Sequence, residues 1–261
     1  MTSTKATLVL VGGGWHVPAS YSKLTNALKS AGYEIHVPSL PSTNQTRPPN
    51  ADLFTDTTVV REYVERLVDA GRIVVVIMHS YDGQVGTNAL HGLGQNTRSQ
   101  KGLIGGISYF IYMSAFALPK GGSMIDKVKE FGHEHLMPLA FDFAEDMSCV
   151  SRDPKLLLVG PGVDENEVEA YVSTLVRWNG NGMYQELTNT PAWKDIPVAY
   201  IYTMQDMTVP LDYQKSMVEN LEREGKKVYT AELDTGHCPN LTATKEIVDI
   251  IDDILAAGKA S

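Results

Sequence analysis

Cysteine is almost missing from this chain: Cys149 and Cys238 are the only two among 261 residues, and they stand far apart. Two thiols cannot build a disulfide scaffold and suit no metal-ligand spacing, so a reducing compartment is the expected setting. Long apolar runs are missing as well. A membrane helix needs about 20 consecutive apolar residues, and the most apolar stretch, Arg72–Met78 (RIVVVIM), is only strand-sized. The opening residues Met1–Ala6 lead into Thr7–Val11 without the long apolar segment of a signal peptide, and Gly258–Ser261 match no retention or lipidation signal. The expectation is a cytoplasmic globular chain. Positive charge is in deficit, with 22 Lys and Arg against 31 Asp and Glu, a net charge of −9. That balance repels phosphate backbones and anionic lipid, which argues against nucleic-acid and membrane partners.

What is present is apolar residue in quantity, 43% of the chain, enough for the core of one large domain. Short β-branched runs alternate with helical patterns. Ala6–Val11 reads as a strand, and Ala19–Ala31 as a helix with apolar Tyr21, Leu24, Ala27 and Leu28. Glu34–Val37 is a second strand, Thr57–Ala70 a helix, and Arg72–Met78 a third strand followed by a helix near Gly83–Leu93. Strands at Ser108–Met113, Pro197–Thr203 and Lys227–Leu233 follow, with helices at Leu211–Glu224 and Lys245–Ala256. Continuously apolar strands alternating with helices predict an α/β fold, a parallel sheet of about six strands covered on both faces. Between Phe116 and Ile196 the alternation lapses, although Met124, Phe131, Met137, Phe141, Phe143, Met147 and Trp178 lie there. So long an insert is too large for a structureless loop. The expected layout is a core of residues 1–116 and 197–261 with a helical cap, 117–196, whose Met and aromatic residues suit a deformable pocket wall.

Three strand ends carry chemistry. Met78-His79-Ser80-Tyr81-Asp82-Gly83 ends the most strand-like run. A serine on a sharp strand-to-helix turn is lifted out of the sheet, where its Oγ can attack a carbonyl and the next N–H can hold the oxyanion. Asp206 follows the strand at Pro197–Thr203, and His237 follows the last strand. A serine needs a histidine to take its proton, and that histidine needs a carboxylate to fix its tautomer. Gly12-Gly13-Gly14 after the first strand lets a backbone N–H approach a substrate oxygen, so the amides of Gly14 and Tyr81 are the expected oxyanion hole. A dinucleotide loop would need glycine where Val17 stands.

With these residues the chain resembles the α/β-hydrolase superfamily, and within it the compact branch of plant methylesterases and hydroxynitrile lyases, with fungal hydrolases of similar length. The likeness runs through Gly12–Gly14, where that branch has His-Gly-Ala or Pro-Gly-Ala, and through Tyr33–Pro41 (YEIHVPSLP). It continues in His79-Ser80-Tyr81-Asp82-Gly83 against His-Ser-x-Gly-Gly, and in Gly236-His237-Cys238-Pro239-Asn240-Leu241 against Gly-His-Ser-Pro-Phe-Leu. It implies an α/β-hydrolase fold and a Ser80–Asp206–His237 triad with no cofactor and no metal. The lyases of the branch carry Lys directly after the catalytic His, where this chain has Cys238.

Asp82 departs from the family glycine. Its carboxylate either lies near the forming oxyanion and repels it, or turns to the favourable N-terminal turn of the helix, or serves as an extra acid or base. Trp15, His16, His79, Asp82, Met124, Phe141 and Phe143 are the expected pocket residues. His133-Glu134-His135 lacks a third ligand and reads as cap surface. Asp234 is a rival acid, but it shares the histidine's loop. The expected activity is hydrolysis of an ester or lactone in a small apolar or aromatic molecule, by a monomer or homodimer. Lyase or cyclisation chemistry in the same pocket, or ligand binding without turnover, are the alternatives.

Overall fold

The computed structural model describes residues 5–257; the readings of the first four and last four residues fall outside the described residues. The chain opens with β1 (Thr7–Val11), α1 (Ser22–Ser30), β2 (Glu34–His36), α2 (Leu53–Asp69) and β3 (Ile73–His79). There follow α3 (Asp82–Ala89), α4 (Gln95–Ser99) and β4 (Gly106–Met113). The insert holds α5 (Met124–Glu130), α6 (Met137–Ala140), β5 (Phe141–Phe143), β6 (Ser148–Ser151), α7 (Glu165–Val172) and β7 (Trp178–Asn179). The chain returns through β8 (Val198–Thr203), α8 (Leu211–Arg223), β9 (Val228–Leu233), α9 (Pro239–Thr242) and α10 (Thr244–Ala257).

Six strands form one sheet in the order β2-β1-β3-β4-β8-β9, every pairing parallel. Alternate residues face opposite sides, as a two-residue period requires. Leu8, Leu10, Val75 and Ile77 pack with Leu24 and Leu28 of α1 and Ile247 and Ile251 of α10. Val9, Val11, Val74 and Val76 pack with Val60, Val64 and Val68 of α2 and Met217 and Leu221 of α8. This double cover is why the strands read as unbroken apolar runs.

Two expectations near the site need correcting. The helix foreseen from Ala19 begins as a 3₁₀ turn, Pro18–Tyr21, and becomes α-helical only at Ser22. The insert is not purely helical: β5, β6 and β7 make a three-stranded sheet, with antiparallel β5–β6 and β6–β7 pairings. With strands only three, four and two residues long, no periodicity could reveal it.

Candidate active site

Ser80 sits in the turn between β3 and α3 with φ of 58°, a left-handed conformation that costs a non-glycine residue about 1–2 kcal/mol. The turn is over-determined by its surroundings. The Ser80 carbonyl accepts from Phe116 N at 3.0 Å and Gly83 N at 3.1 Å. Met78, a large residue two before the serine of a tight turn, is accommodated by Gly86: a Cβ there would lie 2.3 Å from the Met78 sulfur. Gly13 is needed for a similar reason, since its Cβ would fall 2.9 Å from Ser80 Cβ.

His237 reaches Ser80 from the loop between β9 and α9, its Nε2 2.9 Å from Oγ. Its Nδ1 lies 2.7 Å from Asp206 Oδ2. Asp206 Oδ1 accepts from the amides of Thr208 and Val209, and Oδ2 from the Thr203 hydroxyl. With a carboxylate as its partner, Nδ1 carries the proton and Nε2 is left as acceptor for the serine hydroxyl. The rival Asp234 instead accepts from the Gln205 amide at 2.6 Å. Among the described residues, the N–H groups of Gly14 and Tyr81 donate to no protein acceptor, which suits them to an anionic substrate oxygen.

Ser80 borders a partly open, apolar cavity. Gly14, Trp15, Tyr81, Met124 and Phe141 are among its lining. Phe116, Val128, Met137, Trp178, Met183, Thr208 and Tyr213 complete it. Of these, Met137 and Trp178 belong to the apolar set noted in the insert. Phe116 had a signal in its place just past β4, at the carboxyl edge; Thr208 stands two residues after Asp206. Val128, Met183 and Tyr213 carried no local signal. Apart from Ser80, the polar side-chain atoms of the lining already have protein partners. Trp15 Nε1 donates to the Cys149 carbonyl, Trp178 Nε1 to Ser42 Oγ, Tyr81 OH to Asp56 and Thr208 Oγ1 to the Leu157 carbonyl, while Tyr213 OH pairs with His133 Nδ1. Ser80 and the two free amides are thus the polar points available to a ligand.

Four expected pocket residues do not line the cavity. His79 is fully buried behind the serine, bonded to Tyr21 and to the His237 carbonyl. His16 is held by the Gly14 carbonyl and Tyr171 OH, and burial pushes its pKa down to about 3. Phe143 lies outside, against Phe141 and Tyr184. Asp82 is the largest departure. It begins α3, yet its side chain is wholly buried and neither oxygen has a hydrogen-bond partner among the described residues. Burial, with repulsion from Asp56, pushes its pKa well above the carboxylate range, so it is held as the neutral acid. Neither an anionic charge at the helix terminus nor repulsion of the oxyanion applies to an uncharged group outside the cavity.

Asp82 thereby has a stability consequence. A carboxyl neutral in the fold but ionised when unfolded costs nothing below about pH 4, then about 1.4 kcal/mol per pH unit up to its folded pKa. Asp82→Ala should therefore raise the melting temperature by about 4 °C or more near pH 8, and by less near pH 5. Equal shifts, or a fall, in thermal denaturation at the two pH values would contradict a neutral, unpartnered acid. His133 and His135 bond to Tyr213 and the Gly132 carbonyl, and no metal-binding cluster occurs among the described residues. No helix among them is long and apolar enough to cross a membrane.

Residues 8–250 match the family model described as "Alpha/beta hydrolase family". The chain is 28% identical over 253 residues to "Probable hydrolase R7" of Phoma sp. (strain ATCC 20986 / MF5453), covering 96% of this chain and 98% of the relative. It is 26% identical over 260 residues to "Alpha/beta hydrolase nvfD" of Aspergillus novofumigatus (strain IBT 16806), covering 98% of each. The crystal structure of polyneuridine aldehyde esterase superposes with a TM-score of 0.75 at 20% identity, covering 96% of this chain and 99% of that one.

Proposed function

Since the chain belongs to the alpha/beta hydrolase family, we propose that it is a serine hydrolase that cleaves an ester or lactone in a small, neutral, apolar or aromatic molecule. The observation that carries this is the unbroken Ser80–His237–Asp206 hydrogen-bond chain, 2.9 and 2.7 Å long, at the floor of an apolar cavity. Ser80 Oγ attacks the acyl carbon as His237 Nε2 takes its proton, and Asp206 stabilises the imidazolium. The Gly14 and Tyr81 amides hold the oxyanion, at about 10²–10³ in rate per donor. His237 then protonates the leaving alcohol, and a water molecule activated by the same nitrogen releases the acid.

The substrate class follows from the wall. Trp15, Phe141 and Trp178 offer flat apolar faces, and Met124, Met137 and Met183 adapt to irregular shape. With the polar lining atoms bonded internally, a charged or heavily hydroxylated substrate would lose its hydration without compensation. We take residues 117–196 as a cap on a core formed by 1–116 and 197–261. A binding role without turnover draws on Asp82 and Met78 at the turn; a neutral carboxyl outside the cavity lends it no support, and Met78 is accommodated by Gly86 without displacing Ser80 from His237.

A fluorophosphonate tests the nucleophile directly. Peptide mass spectrometry of the treated protein should find the adduct on Ser80, and prior heat denaturation should prevent it. Folded protein left unmodified at high reagent concentration would defeat the assignment.

A further inference from the structure

Behind the proposed triad, a second hydrogen-bond chain ties together the three loops that meet there. Tyr21, at the end of the 3₁₀ turn, is fully buried, and its hydroxyl oxygen accepts from Gly13 N at 2.8 Å. The same hydroxyl lies 2.8 Å from His79 Nδ1, and His79 Nε2 lies 2.8 Å from the carbonyl oxygen of His237. A carbonyl only accepts, so His79 Nε2 carries the proton, Nδ1 is an acceptor, and Tyr21 donates to it. Every donor and acceptor is used, in one direction, from Gly13 to His237. Burial keeps the His79 imidazole neutral, with a pKa well below its ordinary value.

The attachment points matter more than the number of bonds. Gly13 precedes the Gly14 amide, His79 precedes Ser80, and His237 is the proposed base. In the sheet, β9 is separated from β3 by β4 and β8, so no strand ladder connects the His237 loop to the serine. The backbone of that loop is held at its carbonyl by His79 Nε2 and, at 3.3 Å, by Ser114 Oγ.

We propose that Tyr21 and His79 are positioning residues that lock the oxyanion loop and the His237 loop in register around Ser80. This rests on the serine-hydrolase reading above. Neither side chain lines the cavity, so their effect falls on the transition state rather than on substrate binding. Without the Tyr21 hydroxyl, Gly13 loses its acceptor and His79 its donor, and Gly14 N–H, Ser80 Oγ and His237 Nε2 are no longer held to one geometry.

The test uses the full chain, hydrolysis of p-nitrophenyl butyrate, and inhibition by benzeneboronic acid, which adds to a catalytic serine as a tetrahedral anion. Tyr21→Phe should lower kcat about 10–100-fold with KM within about two-fold, and weaken the boronate by the same factor as kcat. His79→Gln, whose amide can still donate to the His237 carbonyl, should keep at least about ten times the kcat of His79→Phe. Unchanged kcat and boronate affinity in folded Tyr21→Phe would overturn the proposal, as would equal kcat for the two His79 variants. Nitrogen NMR of the wild-type enzyme decides even if the variants do not fold. A neutral Nε2–H tautomer of His79 is expected at neutral pH, and an Nδ1–H tautomer or a charged ring overturns the lock. Failure of wild-type Ser80 to react with fluorophosphonate would instead strike the underlying hydrolase reading.

Discussion

Ser80→Ala should lower kcat for short p-nitrophenyl esters by about 10⁴-fold or more, while leaving the fold intact. The Oγ removed has one protein partner, His237 Nε2, and the turn that presents it is held by backbone bonds from Phe116 and Gly83 that alanine keeps. Alanine tolerates the left-handed φ about as poorly as serine, so the conformational cost is nearly unchanged. What is lost is the nucleophile. The cavity supplies no substitute: Cys238 is buried against His16, Cys149 is buried with its thiol pushed up to about 12 by desolvation, and neither lines it. Residual turnover reports only what the oxyanion amides and binding contribute to attack by water. Near-full activity, with circular dichroism and melting temperature matching the parent, would remove Ser80 from the chemistry.

Asp206→Asn should cost about as much, near 10⁴-fold in kcat with KM little altered, and for a sharper reason. Oδ1 faces two backbone donors, Thr208 N at 2.8 Å and Val209 N at 2.7 Å. The asparagine oxygen must stay there, which puts the amide nitrogen at the Oδ2 position beside His237 Nδ1. That nitrogen donates, so Nδ1 becomes an acceptor and the imidazole proton moves to Nε2. A protonated Nε2 points its hydrogen at Ser80 Oγ and cannot remove the serine proton. The geometry survives and the tautomer is wrong. The fluorophosphonate labelling rate should fall in parallel with kcat, and an Asp206→Asn enzyme within about ten-fold of wild type would show that this carboxylate does not set the tautomer.

Much of the frame was legible because it depends on local pattern. Arg72–Met78 reads as a buried strand since both faces of a covered parallel sheet need apolar side chains; the observed strand is Ile73–His79, with 0% exposure from Val74 to Met78. Ser80, Asp206 and His237 were legible as strand-end residues in a particular order, and loops at the carboxyl edge of a parallel sheet converge. The start of α2 was also readable, though missed. Asp52 accepts from Phe54 N and Thr55 N, an N-cap that begins the helix at Leu53, ahead of the apolar spacing that pointed to Thr57.

Other features had no local signature. Cys149 pairs with Trp178 across the small sheet, 29 positions along the chain, and Trp178 Nε1 donates to Ser42, far earlier in the chain; such long-range contacts bring the Trp178 ring against Gly14 and into the cavity beside Ser80. The sequence left three roles open for Asp82; what decides its charge is burial and, after it, Asp56, 26 residues earlier. Tyr21 read as an apolar face of a helix, and its hydroxyl meets Gly13 and His79 only in the folded chain.

By itself, then, the sequence determined the alternation of strands and helices, the double-faced sheet, and which residue types stand at its carboxyl edge, because periodicity and turn chemistry act over a few neighbouring residues. Only tertiary structure decided which side chains wall the cavity, which buried groups are uncharged and which hydrogen bonds join the three loops. Those depend on distance and desolvation between segments far apart in the chain, and no short window of sequence contains either.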